Sequence, residues 1–172
     1  GRLTAPLNSN GRAQMRRLKN LIVICVLLSG CADNRLPSDA ELIINFEKKI
    51  STFEELRSNL CKRSNEQIIM MDPEWSKPSV PESEKESFYK TFREIGVMGV
   101  YYDGGCSFRL PAWSVGLAGG GDYKEYVYHP NERYKEALVV TSLDNVNRDS
   151  SEIHFYKRQI RGDWYLVFEH WP

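Results

Sequence analysis

The stretch from residue 38 to residue 62, SDAELIINFEKKISTFEELRSNLCK, decides the first element of the fold. Apolar residues recur in it at steps of three and four with mostly charged residues between them, which is the pattern of an amphipathic helix. Ser38 and Glu41, three residues apart, have the spacing of a capping box, so we expect the helix to begin there. We predict one helix over this stretch that packs on a sheet; docking into a partner's groove is the alternative. Its apolar stripe is Leu42, Phe46, Ile50, Phe53, Leu56 and Leu60.

The chain after this helix changes from loop to helix and then to strands. Residues 67–71 are an apolar run that predicts a first strand, and residues 72–87 hold three prolines and many charges, which indicates mostly loop. A second, shorter helix is expected to begin near Ser83 and to end at Gly96 or Gly99.

From residue 97 onward, short apolar and aromatic runs alternate with turn residues. Asp103-Gly104-Gly105 and Arg161-Gly162-Asp163 are typical of tight hairpin turns, and Pro111 is expected to stop a strand. The last strand is apolar on both of its sides, which predicts burial on both faces of the sheet or a wide aromatic patch. The predicted strands are residues 97–102, 106–110, 113–117, 123–128, 138–142, 153–160 and 164–171.

These elements predict a single α+β domain over residues 38–172. Its two helices pack on one face of a curved, mostly antiparallel sheet of about six strands. The element order is similar to that of the nuclear transport factor 2 and cystatin folds. No motif accompanies this likeness, so it implies no function.

A separate pattern precedes the domain. Basic residues follow Met15, and residues 21–28 (LIVICVLL) form an apolar run of eight. Eight residues reach only about 12 Å as a helix, against the roughly 30 Å core of a bilayer. This run is therefore expected to be the apolar part of a secretory signal and not a membrane-spanning helix.

The tetrad Leu28-Ser29-Gly30-Cys31 resembles the lipobox of bacterial lipoproteins. The resemblance implies a signal peptide at residues 15–30, acyl chains such as palmitate on Cys31, and a body held to the membrane by that lipid. Because Ala32 and not Asp follows the cysteine, the outer membrane is favoured, with the body in the periplasm. A buried apolar helix that happens to end in this tetrad is the alternative. Residues 31–37 are then a short tether, and residues 1–14 are upstream sequence or an expression remnant.

Charge argues against one class of partner. The 172 residues hold 23 basic and 23 acidic side chains, but residues 1–30 carry five basic groups and no acidic group. The remaining 18 basic and 23 acidic groups make the mature body net acidic. A net-acidic body is not expected to bind nucleic acid through its phosphates.

Four cysteines give further information on the compartment. Cys25 leaves with the signal and Cys31 is used for the lipid, so Cys61 and Cys106 remain. An even pair in an oxidising space predicts a disulfide, which would close a loop of about 46 residues. Two buried thiols, or a catalytic cysteine, are the alternatives.

No sequence motif indicates catalysis. The chain contains no G-x-S-x-G or H-E-x-x-H, and its three histidines lack metal-ligand spacing, although His154 and His170 should face each other across the last hairpin. Gly119-Gly120-Gly121 precedes an acidic, strand-like segment, so a hairpin loop is expected there and not a phosphate site. We therefore predict no enzyme, no metal and no cofactor.

The aromatic residues are the richest remaining feature. They form a core and sheet face, or alternatively a surface for a partner protein or an apolar ligand. The leading hypothesis is a non-enzymatic envelope lipoprotein that binds a protein partner. The alternatives are a small-molecule or glycan-binding module with a pocket between helix 38–62 and the sheet, and a periplasmic immunity-type inhibitor of a toxin. The candidate binding residues are Trp113, Trp164, Tyr165 and Trp171.

Overall fold

The computed structural model describes residues 35–63, 67–72, 76, 81–116, 120–148 and 150–172. Leu36–Pro172 forms one unit, whose described residues have the predicted α+β class, with three α-helices and one open sheet of seven strands. Helices α1, α2 and α3 span Asp39–Lys48, Ile50–Leu60 and Glu82–Ile95, and a 3-10 helix spans Glu132–Tyr134.

The sheet is mostly antiparallel, as predicted, and has seven strands, because the segments predicted at residues 106–110 and 113–117 belong to one strand. Its strand order is β1-β2-β3-β4-β7-β6-β5, so β1 and β5 are edges and the sheet does not close. Only the β5–β6 pairing among the described strands is parallel. The strands are β1 Gln67–Met70, β2 Gly99–Gly104, β3 Ser107–Val115, β4 Gly121–Tyr128, β5 Leu138–Val139, β6 His154–Arg161 and β7 Trp164–Trp171.

The predicted single helix over residues 38–62 is two helices. The capping box is confirmed, since the backbone amide of Glu41 donates to the Ser38 hydroxyl and the Glu41 carboxylate accepts from the Ser38 amide at 2.7 Å. Lys49 leaves helical geometry, with φ −119° and ψ 21°, and separates α1 from α2. The sequence after it begins with the β-branched Ile50, which favours a helix less than straight-chain residues do.

The break between α1 and α2 does not divide the core. Phe46 of α1 and Phe53 of α2 are fully buried, with ring centroids 4.8 Å apart. Both rings contact Trp164 of β7, at 5.3 and 5.5 Å. One continuous apolar cluster therefore joins the helices to one face of the sheet.

The ends of α3 are partly as predicted. Gly96 terminates the helix in the left-handed region at φ 75°, where glycine avoids the steric cost of a side chain. The helix begins at Glu82, as predicted near Ser83, with Pro81 at the cap position and no side-chain hydrogen bond there.

Two strand predictions are wrong. Pro111 does not stop β3, which continues to Val115 through a register shift between Pro111 and Trp113. A bulge of this kind lets a strand include a proline, which has no amide hydrogen to donate. The strand predicted at residues 138–142 is only Leu138–Val139.

Three other predictions are confirmed. β7 is buried on both faces over most of its length, and His154 pairs with His170 across the β6–β7 hairpin. A disulfide joins Cys61, at the end of α2, to Cys106, in the turn between β2 and β3. Cys106 therefore carries no free thiol for catalysis.

The predicted signal peptide, the predicted lipobox and residues 1–14 lie outside the described residues, as does most of the predicted tether. Among the helices that the structure describes, none is both long enough and apolar enough to cross a bilayer.

Replacing both bridged cysteines in the variant Cys61→Ala/Cys106→Ala should lower the free energy of unfolding by about 4 kcal/mol. The bond spans 45 positions of sequence, and a loop of that length restricts the unfolded chain by this amount. Urea denaturation at constant pH measures the difference. Reduced wild-type protein is the control and should match the variant; equal stability of the variant and the oxidised wild type would contradict the prediction.

Candidate functional site

The face of the sheet opposite the helices, here called the second face, is only partly covered. Side chains alternate along β4, so Tyr126 points to the helices, where its hydroxyl donates to the Leu42 carbonyl at 2.9 Å. Glu125 and Val127 point the other way. Val127 packs with Tyr134, which belongs to the segment between β4 and β5.

Beside this covered part, the second face contains a cavity of about 360 Å³, here called the sheet-face cavity. This volume lies at the lower end of the range typical of small-molecule sites. Aromatic rings, methionines and polar side chains share its lining. The residues that line it are Met70, Met98, Tyr101, Arg109, Pro111, Ser114, Tyr123, Glu125, Arg133, Glu169 and Trp171.

Two buried carboxyl groups lie in this lining. Glu125 of β4 and Glu169 of β7 are each only 2% exposed. The hydroxyl of the fully buried Tyr134 lies 2.8 Å from Oε1 of Glu125 and 2.5 Å from Oε1 of Glu169. One hydroxyl carries one hydrogen, so both contacts are hydrogen bonds only if one of the carboxyls is protonated and donates to it. We call these two residues the Glu125–Glu169 pair.

Arg133 stabilises the ionised form of Glu169. Its Nη2 lies 2.6 Å from Oε2 of Glu169, and the indole Nε1 of Trp171 donates to the same oxygen at 3.0 Å. The Arg133 guanidinium also lies 5.5 Å from the ring centroids of Trp171 and Phe155, within cation–π range. Glu169 is therefore the ionised member of the pair.

The pKa values of the pair move in opposite directions. Burial, together with the charge of Glu169, raises the pKa of Glu125 to about 8. Burial also opposes the ionisation of Glu169, but the hydrogen bonds from Arg133, Glu125 and Tyr134 outweigh it and lower the pKa of Glu169 to about 2. The burial of Tyr134 and its two carboxyl neighbours raise its pKa, so the phenol keeps its proton. At neutral pH the pair thus holds one proton, on Glu125.

Arg109 of β3 lies next to the pair without a close contact to it. Its Nη1 lies 3.6 Å from Oε1 of Glu125 and 3.9 Å from Oε1 of Glu169, and its Nε lies 3.6 Å from Oδ2 of Asp103. The guanidinium stacks 4.5 Å over the ring of Tyr101. Its Nε is buried and has no hydrogen-bond partner among the described residues. Part of the hydrogen-bonding capacity of this cation is therefore unused.

The four aromatic residues predicted to bind do not form one surface. Trp164 is 2% exposed in the core under the helices, so it is not available to a partner. Trp113 pairs with Lys124, and Tyr165 packs against the cluster around Tyr134. Only Trp171 lines the sheet-face cavity.

The pocket expected between helix 38–62 and the sheet is replaced by core. Phe46 and Phe53 fill that region with no exposed surface, and the cavity lies on the opposite face of the sheet.

Sequence reasoning missed the charged residues of the site. A signal was present, because Glu125 in YKEYVY and Glu169 in WYLVFEHW each interrupt a strand that is otherwise rich in apolar and aromatic residues. Only the pairing of β4 with β7 shows that these two glutamates meet.

The two facing histidines are engaged in protein contacts. Nδ1 of His170 lies 2.7 Å from Oδ1 of Asp122, and its Nε2 lies 2.8 Å from the Ser150 carbonyl. Nε2 of His154 lies 2.7 Å from the Ser150 hydroxyl. These contacts tie the segment before β6 to the sheet.

Comparison of the chain with known protein families, curated proteins and solved structures finds no match.

The variant Glu125→Gln should remove part of the pH dependence of stability between pH 5 and pH 8. In the unfolded chain Glu125 ionises near its ordinary pKa of 4.5, whereas in the folded protein it stays protonated to about pH 8. The folded state therefore binds more protons in this range, so wild-type stability falls as the pH rises, by up to about 1.4 kcal/mol per pH unit from this group. The variant has no such proton and should show a flatter profile.

Urea denaturation at a series of pH values measures the two profiles. The control is Glu132→Gln, whose carboxylate is exposed and paired with Lys135, and it should keep the wild-type slope. Parallel profiles for Glu125→Gln and wild type would contradict the assignment of the proton.

Proposed function

We propose that this chain is a lipid-anchored protein of the bacterial envelope whose body binds a small polar ligand in the sheet-face cavity. The observation that carries the ligand proposal is the cavity itself, where the Glu125–Glu169 pair lies beside Arg109 without a close hydrogen bond to it. Concave sites with a few fixed polar groups between apolar walls are the usual form of small-molecule sites.

We propose binding and not catalysis. Glu169 accepts from Arg133, Trp171 and Tyr134, so its oxygens are already engaged by the protein. A nucleophile or general base needs a lone pair free to reach its substrate. The buried pair is better suited to holding Arg109 and Arg133 in position than to transferring protons.

The location rests on the lipobox at Leu28-Ser29-Gly30-Cys31 and is supported by the disulfide. Cys61 and Cys106 are bonded, which suits an oxidising compartment such as the periplasm. We propose attachment to the outer membrane through the lipid on Cys31, with Ala32 as the first residue after it.

A second candidate is the protein-partner function predicted from sequence. The edge strand β5 favours it, because Leu138 is 58% exposed and Val139 is 76% exposed there. Exposed apolar edge strands are common sites of strand addition by a partner.

Replacing the lipobox cysteine in Cys31→Ser should abolish acylation, because the thiol is the acceptor of the lipid. Incorporation of radiolabelled palmitate in bacterial cells measures this effect. The matched control is Cys25→Ser, in the apolar run of the signal, which should be labelled like wild type. Labelling of Cys31→Ser would contradict the lipoprotein assignment.

A panel of small polar metabolites should contain a compound that stabilises the protein against heat. A ligand at 100 times its Kd adds about 2.7 kcal/mol, which raises Tm by roughly 5 °C or more for a domain of this size. The whole chain, extracted from membranes in mild detergent, is suitable for thermal scans. Trp171→Leu should lose the shift because it removes a cavity wall, whereas Trp113→Leu, outside the cavity lining, should keep it.

Equal shifts in both tryptophan variants would place the ligand elsewhere. No shift with any compound, together with capture of one envelope protein by wild type but not by Val139→Glu, would favour the second candidate.

A further inference from the structure

The spacing of charges in the sheet-face cavity narrows the class of ligand, and this step rests on the proposed function. Nη1 of Arg109 lies 3.6 and 3.9 Å from the nearest oxygens of Glu125 and Glu169. Both distances exceed that of a hydrogen bond, which ends near 3.2 Å for N–H···O. Polar groups separated in this way are suited to a bridging oxygen that accepts from one and donates to the other.

A hydroxyl group on the ligand supplies an oxygen that can both accept and donate a hydrogen bond. It accepts through its lone pairs and donates one hydrogen, whereas a carboxylate or phosphate oxygen only accepts and an ammonium only donates. The rest of the Arg109 side chain is held by the protein, with Nε 3.6 Å from Oδ2 of Asp103 and the guanidinium stacked on the ring of Tyr101.

The charges around the cavity argue for an uncharged ligand. Arg109 and Arg133 supply two positive charges, and Asp103 and the ionised Glu169 supply two negative charges. The single hydrogen of Tyr134 between the two carboxyls requires a proton on the other glutamate, Glu125. A charged ligand would thus bring an uncompensated charge into a half-buried site, which is costly.

Apolar surface stands next to these polar groups. Tyr123, Trp171, Met70 and Met98 line the same cavity. A ligand that fits both the polar and the apolar lining has hydroxyl groups at its rim and an apolar C–H face that can lie on the aromatic rings. Sugars combine these properties.

We infer that the ligand is a neutral sugar or related polyol, with one hydroxyl accepting from Arg109 and donating to a carboxyl oxygen of Glu125.

Isothermal titration of the whole mature chain tests this inference. The probes are glucose, galactose, N-acetylglucosamine, maltose, cellobiose and N,N′-diacetylchitobiose, together with the anion glucuronate and the cation glucosamine. We expect at least one neutral probe to bind and both charged probes to bind at least about tenfold more weakly. Cyclic polyols without a ring oxygen, such as inositol, distinguish a polyol from a sugar.

Variants test the contact assigned to Arg109. Arg109→Gln removes hydrogen bonds from a charged donor, so Kd should rise about 10- to 100-fold. Arg109→Lys keeps the charge but does not place a donor at the position of Nη1, and should also weaken binding. Arg93→Gln, on the exposed side of α3, is the control and should bind like wild type. Circular dichroism and Tm establish that each variant is folded, and Ser114→Ala at the cavity wall gives a milder second test.

Tighter binding of glucuronate or glucosamine than of every neutral probe would overturn the inference. Failure of all sugars and polyols, with stabilisation by another compound of the metabolite panel, would overturn the inference and leave the proposed function in place. Failure of every compound would overturn both.

Discussion

The central strands β4 and β7 must be covered on both faces, and the rest of the structure follows from this constraint. Both strands are mainly buried, with apolar side chains on either side. The helices cover one face through Phe46 and Phe53, which meet Trp164. The segment between β4 and β5, with Tyr134, covers only part of the other. What remains uncovered there is the sheet-face cavity.

The charged cluster in this cavity is not required for packing. Val127 and Val167 lie on the same face and are buried, which shows that apolar residues fit there. Buried ionic groups contribute less to stability than apolar residues of similar volume, because desolvation opposes their interaction. The Glu125–Glu169 pair is tolerated because Tyr134 and Arg133 satisfy it. The proposed binding function would account for a cluster that folding alone does not explain.

Local patterns predicted the features that depend on neighbours in sequence. The cap at Ser38, the helix end at Gly96 and the hairpin that pairs His154 with His170 are confirmed because turn and capping chemistry acts within a few residues. The break at Lys49 was missed, since the apolar spacing continues across it. The course of β3 through Pro111 was missed because a bulge depends on the partner strand.

By itself, the sequence determined the α+β class, the pairing of Cys61 with Cys106, and the expectation that the last strand is buried on both faces. The spacing of apolar residues carries this information, because each helix or strand must bury its own apolar side chains. The tertiary structure alone decided where the site lies. Glu125 and Glu169 come together only because β4 pairs with β7, and Arg109 and Tyr134 reach them from other elements. The positions of these buried charges depend on the register between paired strands, which no local sequence pattern specifies.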